Sequence, residues 1–215
     1  MTKQDKATQK ITSMGGVKFK ISSSKNISPI KTTKNNYFNT TSSRPGTGSS
    51  SRGPNWVEDR LRSIDGVLNL AMSKAGLTDR PLIQALILWE SNANHLIKIG
   101  DRWEVNASYK DGKICAIGLM MVKATNCLSY NLNDIDQNAT RGCEMFSDAM
   151  NHWGNNVEKA LAQYNGGPGA AKKYGQSYTN AETNTYVPAI ISIYNCLSTG
   201  DYLGAQQILD QRGKH

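Results

Sequence analysis

Charge is divided so unevenly along this chain that only part of it can build a core. Residues 1–53 hold ten Lys or Arg and one acidic residue, Asp5, against 25 basic and 17 acidic residues in the whole 215-residue chain. The rest therefore holds 15 basic and 16 acidic groups and is near neutral, although the chain as a whole is formally +8. The basic stretch is rich in Ser, Thr, Asn and Gly and has few large apolar side chains. Such a composition buries too little surface to offset the ordering of its backbone, so residues 1–54 are expected to form a disordered tail. Two roles stay open for it: a solubilising linker, or a tether to a polyanion such as nucleic acid, an anionic wall polymer or lipid headgroups. The folded part is expected over 55–200, followed by a short helix and tail over 201–215.

The first residues are basic, but no apolar run follows them, so no signal peptide is expected. No stretch is long and apolar enough to predict a transmembrane helix. Cys115, Cys127, Cys143 and Cys196 form no Cys-x-x-Cys pair, and His95, His152 and His215 are scattered. Neither a zinc site nor any other metal or cofactor is expected. Disulfides and isolated buried thiols both remain open for the four cysteines.

Beyond Pro54 the apolar spacing is mostly helical. Trp56, Leu61, Ile64, Val67, Leu68 and Ala71 mark one helix ending near Gly76. A second is expected to start from Thr78 as N-cap, with Pro81 in its first turn, and to end at Glu90-Ser91-Asn92. Asp111-Gly112, flanked by Trp, Val, Tyr and Ile, predicts one small β-hairpin. Helices are then expected near 119–129, 136–152, 156–164 and 183–197, with a weaker one near 201–211. Tyr164-Asn165-Gly166-Gly167-Pro168-Gly169 is expected to be irregular. The class that follows is α+β, predominantly α-helical.

Glu90 is the residue with most chemical consequence. Ile83, Leu86 and Ile87 form a helical stripe, and Glu90 falls on its next turn. A carboxylate on a face that packs inward loses hydration, and its pKa rises. A carboxylic acid that keeps its proton near neutral pH can give it to a leaving group, as glycoside cleavage requires. Taken alone, a Glu at a helix end reads more readily as a solvated terminus than as an acid; its companions along the chain favour the chemical reading.

Five segments occur in order: Glu90-Ser91; Ala116-Ile117-Gly118-Leu119-Met120-Met121; Asp134 to Gly142, containing Asn138; Ala160 to Gly169, containing Tyr164-Asn165; and Glu182-Thr183-Asn184-Thr185-Tyr186-Val187. Together they resemble the lytic transglycosylase domain of the lysozyme-like superfamily. The resemblance covers roughly residues 60–197. It implies a lysozyme-like fold, Glu90 as the catalytic acid, and Ser91, Gly118, Met120, Asn138, Tyr164, Asn165 and Tyr186 as residues that bind substrate. Three physical expectations accompany it. Gly118 lets backbone approach a ligand closely. Asn138 aims an amide at the cleft or at the loop framing it. Tyr186 offers a phenol to a carboxylate, an acetamido group or a sugar hydroxyl. Met121 departs from the pattern, standing where the family usually has Gln, and the stretch from Glu90 to Gly118 is longer than usual.

The implied substrate is the glycan strand of peptidoglycan. The implied reaction cleaves the β-1,4 bond between N-acetylmuramic acid and N-acetylglucosamine and leaves a 1,6-anhydromuramic end. Two alternatives stand beside it. A hydrolase of the goose-type lysozyme kind would need a second carboxylate, for which Asp101, Glu104 and Asp111 are the nearest in sequence. A wall-binding structural protein would keep the fold without chemistry. Action in the periplasm or cell wall without a visible signal suggests delivery by a phage virion, or by a conjugation or secretion machine, with residues 1–54 as the tether.

Overall fold

The computed structural model describes residues 53–176 and 181–212. The expectation for the basic tail therefore lies outside the described residues, apart from Gly53 and Pro54. Among those described, the order is α1 (Trp56–Ser63), α2 (Asp65–Ala75), α3 (Arg80–Ser91), β1 (Leu96–Ile99), β2 (Arg102–Val105), β3 (Ala107–Lys110), β4 (Lys113–Ile117), β5 (Val122–Lys123), α4 (Ile135–His152), α5 (Val157–Gly166), α6 (Pro168–Lys173), α7 (Ala181–Ser198) and α8 (Tyr202–Gln211). The expected class, α+β with helix predominant, holds.

Helix α3 is buried nearly all round. Leu82, Ile83, Ala85, Leu86, Ile87 and Leu88 all lie in the core, so the helix is wrapped by its neighbours rather than resting on one face. Its N-cap is Asp79, one residue after the expected Thr78: the Asp79 carboxylate accepts the Leu82 N–H at 3.3 Å and the Tyr194 hydroxyl of α7 at 3.0 Å. Its C-cap is Asn92, in the left-handed region at φ 54°, where Asn is better tolerated than most residues. Helix α2 packs on α4, α3 on α7, α4 on α5, and α8 on both α7 and α1. Ala205 and Leu209 of α8 are buried in the same core as the rest.

Four further expectations are corrected. The first helix is two, because Ile64 leaves the helical region at φ −104° and ψ 8° within the run Ser63-Ile64-Asp65-Gly66, whose Ser, Asp and Gly are weak helix formers. The single hairpin is two. Strands β1 and β2 pair around Gly100-Asp101, while β3 and β4 pair around Asp111-Gly112 and gain β5 as a third strand. No helix occupies 119–129: Gly118 at φ 81° and Met121 at φ 45° turn the chain, and β5 and a 3₁₀ turn at Ala124–Asn126 follow. Tyr164, Asn165 and Gly166 remain helical in α5. The break is confined to Gly167, and Pro168 opens α6, where its missing N–H costs nothing.

Candidate active site

The last turn of α3 delivers the Glu90 side chain to the wall of a cleft of about 440 Å³. Facing it are Tyr164 and Asn165 from α5, Glu182 from α7, Met121, and Ser108, Ile114 and Cys115 of the β3–β4 hairpin, with Lys123 at the side. The side chain keeps part of its exposure, but its carboxyl is crowded by protein on the α7 side. The Tyr186 hydroxyl donates to Glu90 Oε1 at 2.5 Å, and Trp89 meets the Tyr186 ring edge-on with centroids 6.4 Å apart.

Burial decides the protonation of this carboxyl. Loss of hydration lifts its pKa from 4.5 to about 7, opposed by the Tyr186 hydrogen bond and the positive charges of Arg212 and Lys123, and reinforced by Glu182. The negative end of the α3 dipole acts in the same direction as burial. Tyr186 and Tyr164 are themselves pushed well above the usual phenol range, by burial first and by the nearby carboxyl second, so both act as neutral hydroxyls.

The loop carrying Gly118, Leu119 and Met120 is built on two buried polar side chains. Asn138, on α4, donates to the carbonyls of Ile117 at 2.8 Å and Leu132 at 3.2 Å, and accepts the Met120 N–H at 3.0 Å. His95 Nδ1 accepts the Leu119 N–H at 3.2 Å, so its Nε2–H donates to the Asn133 carbonyl at 2.9 Å. That pattern requires the neutral ring, in agreement with burial lowering its pKa. The Ser91 hydroxyl donates to the Leu119 carbonyl at 2.6 Å, joining the loop to the turn that carries Glu90. A Cβ on Gly118 would lie 2.3 Å from Asn138 Nδ2 and 2.9 Å from His95 Nδ1. The space that this glycine leaves open is filled by protein.

A model of the family described as the transglycosylase SLT domain matches residues 68–187. The chain belongs to that family. All five segments, from Glu90 to Val187, lie within the matched residues. Among solved structures, an inactive mutant of the lytic transglycosylase Slt from Pseudomonas aeruginosa is similar over 72% of this chain, at 19% identity and a TM-score of 0.47. The aligned part spans 29% of that protein's chain.

Within this SLT domain the candidate residues fall into two groups. Glu90, Tyr164 and Asn165 line the cleft, and Tyr186 reaches the carboxyl from α7. Ser91, Gly118, Met120 and Asn138 lie behind the wall. Met120 is fully buried, and a Cβ on Gly142 would collide with its sulfur at 2.4 Å. Tyr164 also braces this region, donating to the Met120 carbonyl at 2.8 Å.

Sequence reasoning passed over three groups. Glu182 opens the fifth segment yet was not weighed as a second carboxylate, whereas Asp101, Glu104 and Asp111 are exposed and do not line the cleft. His95 carried no pattern to mark it as a loop support. Arg212 lies in the final residues, assigned to a tail. The four cysteines are free thiols; burial pushes that of Cys143 up to about 12.

Proposed function

We propose that Glu90 acts first as the acid and then as the base in non-hydrolytic cleavage of the β-1,4 bond between N-acetylmuramic acid and N-acetylglucosamine. The observation that carries this reading is the Glu90 carboxyl in the cleft wall, held by Tyr186 and titrating near 7. Because Tyr186 donates to Oε1, the transferable proton sits on Oε2. That proton passes to the glycosidic oxygen as its bond to C1 breaks, through an oxocarbenium-like transition state. The substrate's own acetamido oxygen shields C1. The Glu90 carboxylate then takes the proton of the muramic C6 hydroxyl, O6 bonds to C1, and Glu90 is returned protonated. No water is consumed. An acid whose pKa lies near the working pH serves both half-reactions.

Glu182 in the same cleft supports a second reading, in which it activates a water and the product is a hydrolytic reducing end. Two variants separate the readings. Glu90→Gln is expected to remain folded and to lose about 10²- to 10⁴-fold in lytic rate under both. Glu182→Gln is expected to keep most of the rate under transglycosylation, with its alkaline limb moved to lower pH because a negative neighbour of Glu90 is gone. A loss of about 10²-fold or more in Glu182→Gln supports hydrolysis instead.

The enzyme acts where peptidoglycan is, in the periplasm or wall, and residues 1–53, with their local excess of ten basic over one acidic side chain, serve as a tether to a polyanion. Deleting them should weaken binding to sacculi at low salt and leave kcat on soluble glycan unchanged. Equal binding by the truncated and full chains across salt concentrations would remove the tether. Probing purified virions for the protein tests delivery by a particle.

A further inference from the structure

Helix α3 ends with carbonyls that no later turn of the helix can satisfy. The Leu88 carbonyl takes the Asn92 N–H at 2.9 Å, and that of Ser91 takes the Asn94 N–H at 3.1 Å. The Trp89 carbonyl is bonded by the Arg212 guanidinium, which also lies over the Trp89 ring with Cζ 4.3 Å from its centroid. Arg212 follows directly on α8, which docks against α7 and α1. From the other flank, Arg60 of α1 donates to the Asn92 carbonyl at 3.0 Å. Both arginines lie outside residues 68–187, the segment that matches the family. Each places a cation at the negative end of the helix that carries the acid.

We propose that Arg212 is a positioning residue for Glu90: it fixes the turn that carries the carboxyl and sets a permanent positive charge behind it, so that the acid parts with its proton when the glycosidic bond breaks. The proposal rests on the reading of Glu90 as the acid. The groups facing that carboxyl are Tyr186 and Glu182 from α7, Tyr164 from α5, Lys123 from β5, and Arg212 beyond α8. Without a positive charge on the far side, burial and Glu182 act in one direction, and the carboxyl would hold its proton too tightly for the acid step. Arginine suits the place because one planar group can stack on Trp89 and still donate to its carbonyl, which an ammonium cannot do equally well.

The test replaces Arg212 by Gln and by Met, either of which suffices, and by Lys to keep the charge. The Glu90 carboxyl is titrated by carbon NMR in each protein, and kcat/KM on soluble glycan is measured against pH. In the charge-free variants the Glu90 midpoint is expected to rise by about half a pH unit, with the alkaline limb of kcat/KM moving up equally. Arg212→Lys is expected to keep the parent midpoint and lose rate evenly across pH. A midpoint unchanged in a folded charge-free variant overturns the proposal, even where activity has fallen, because a merely structural prop would lower the rate without moving the titration. Retention of full activity by Glu90→Gln would overturn the assignment of the acid, and the NMR midpoints would still judge Arg212 on their own.

Discussion

At position 90, burial gives the residue its chemistry and costs the fold stability. The carboxyl binds its proton more tightly in the folded chain, at about 7, than in the unfolded one, at 4.5. The stabilising contribution of that tighter binding is complete below 4.5 and is lost as pH rises through 7. Gln keeps the shape and can still accept from Tyr186, but it never ionises. Glu90→Gln should therefore gain stability relative to the parent as pH rises from 5 to 8, by about 1–3 kcal/mol, the upper end being reduced by the partial exposure of the side chain. Denaturant unfolding of both proteins at the two pH values reads the difference directly; a gap that does not change with pH would mean that the carboxyl is ordinarily solvated. The stripe Ile83, Leu86, Ile87 made this residue legible in the sequence. Its partner Tyr186, 96 positions away, was legible only through the family pattern.

Among the elements, those set by local periodicity were read well and those set by tertiary partners were not. Helices α4, α5 and α7 fall close to their expected bounds because their apolar spacing and Asp134 and Asn156 caps are local signals. The segment after β4 has helical-looking spacing, yet its N–H groups bond to Asn138 and His95, which no periodicity reveals. Gly100-Asp101 is a hairpin signal of the same kind as Asp111-Gly112, and it joins two strands each as long as β3. A paired substitution isolates the loop support. Gly118 and Gly167 have nearly equal φ, 81° and 80°, but a Cβ meets Asn138 and His95 at the first and nothing within 4 Å at the second. Gly167→Ala should cost about 1–3 kcal/mol from backbone strain alone, its φ of 80° and ψ of 179° being a region that only glycine adopts readily, and Gly118→Ala about 1–3 kcal/mol more. Equal losses in thermal unfolding would show that the loop yields freely and that the Asn138 contact is slack.

Across the whole molecule, the turn that carries Glu90 is braced from both ends of the described chain. Helix α1 reaches it through Arg60 and α8 through Arg212, although neither helix lies in the segment that defines the family. Sequence reasoning placed the five motif segments in order but treated residues 201–215 as an appendage, since an apolar face of three or four residues does not announce what it docks against. The cleft itself was legible as residue types and not as a wall: Glu182 and Met121 line it, while Ser91, Met120 and Asn138 stand behind. What the wall contributes to chemistry is decided by the product. Purified peptidoglycan digested by the intact chain, with the soluble fragments weighed by mass spectrometry, tests the proposed reaction most directly. Fragments ending in 1,6-anhydromuramic acid, lighter by one water than the hydrolytic products, are the predicted result. Reducing ends in their place would contradict it and turn attention to Glu182 and water.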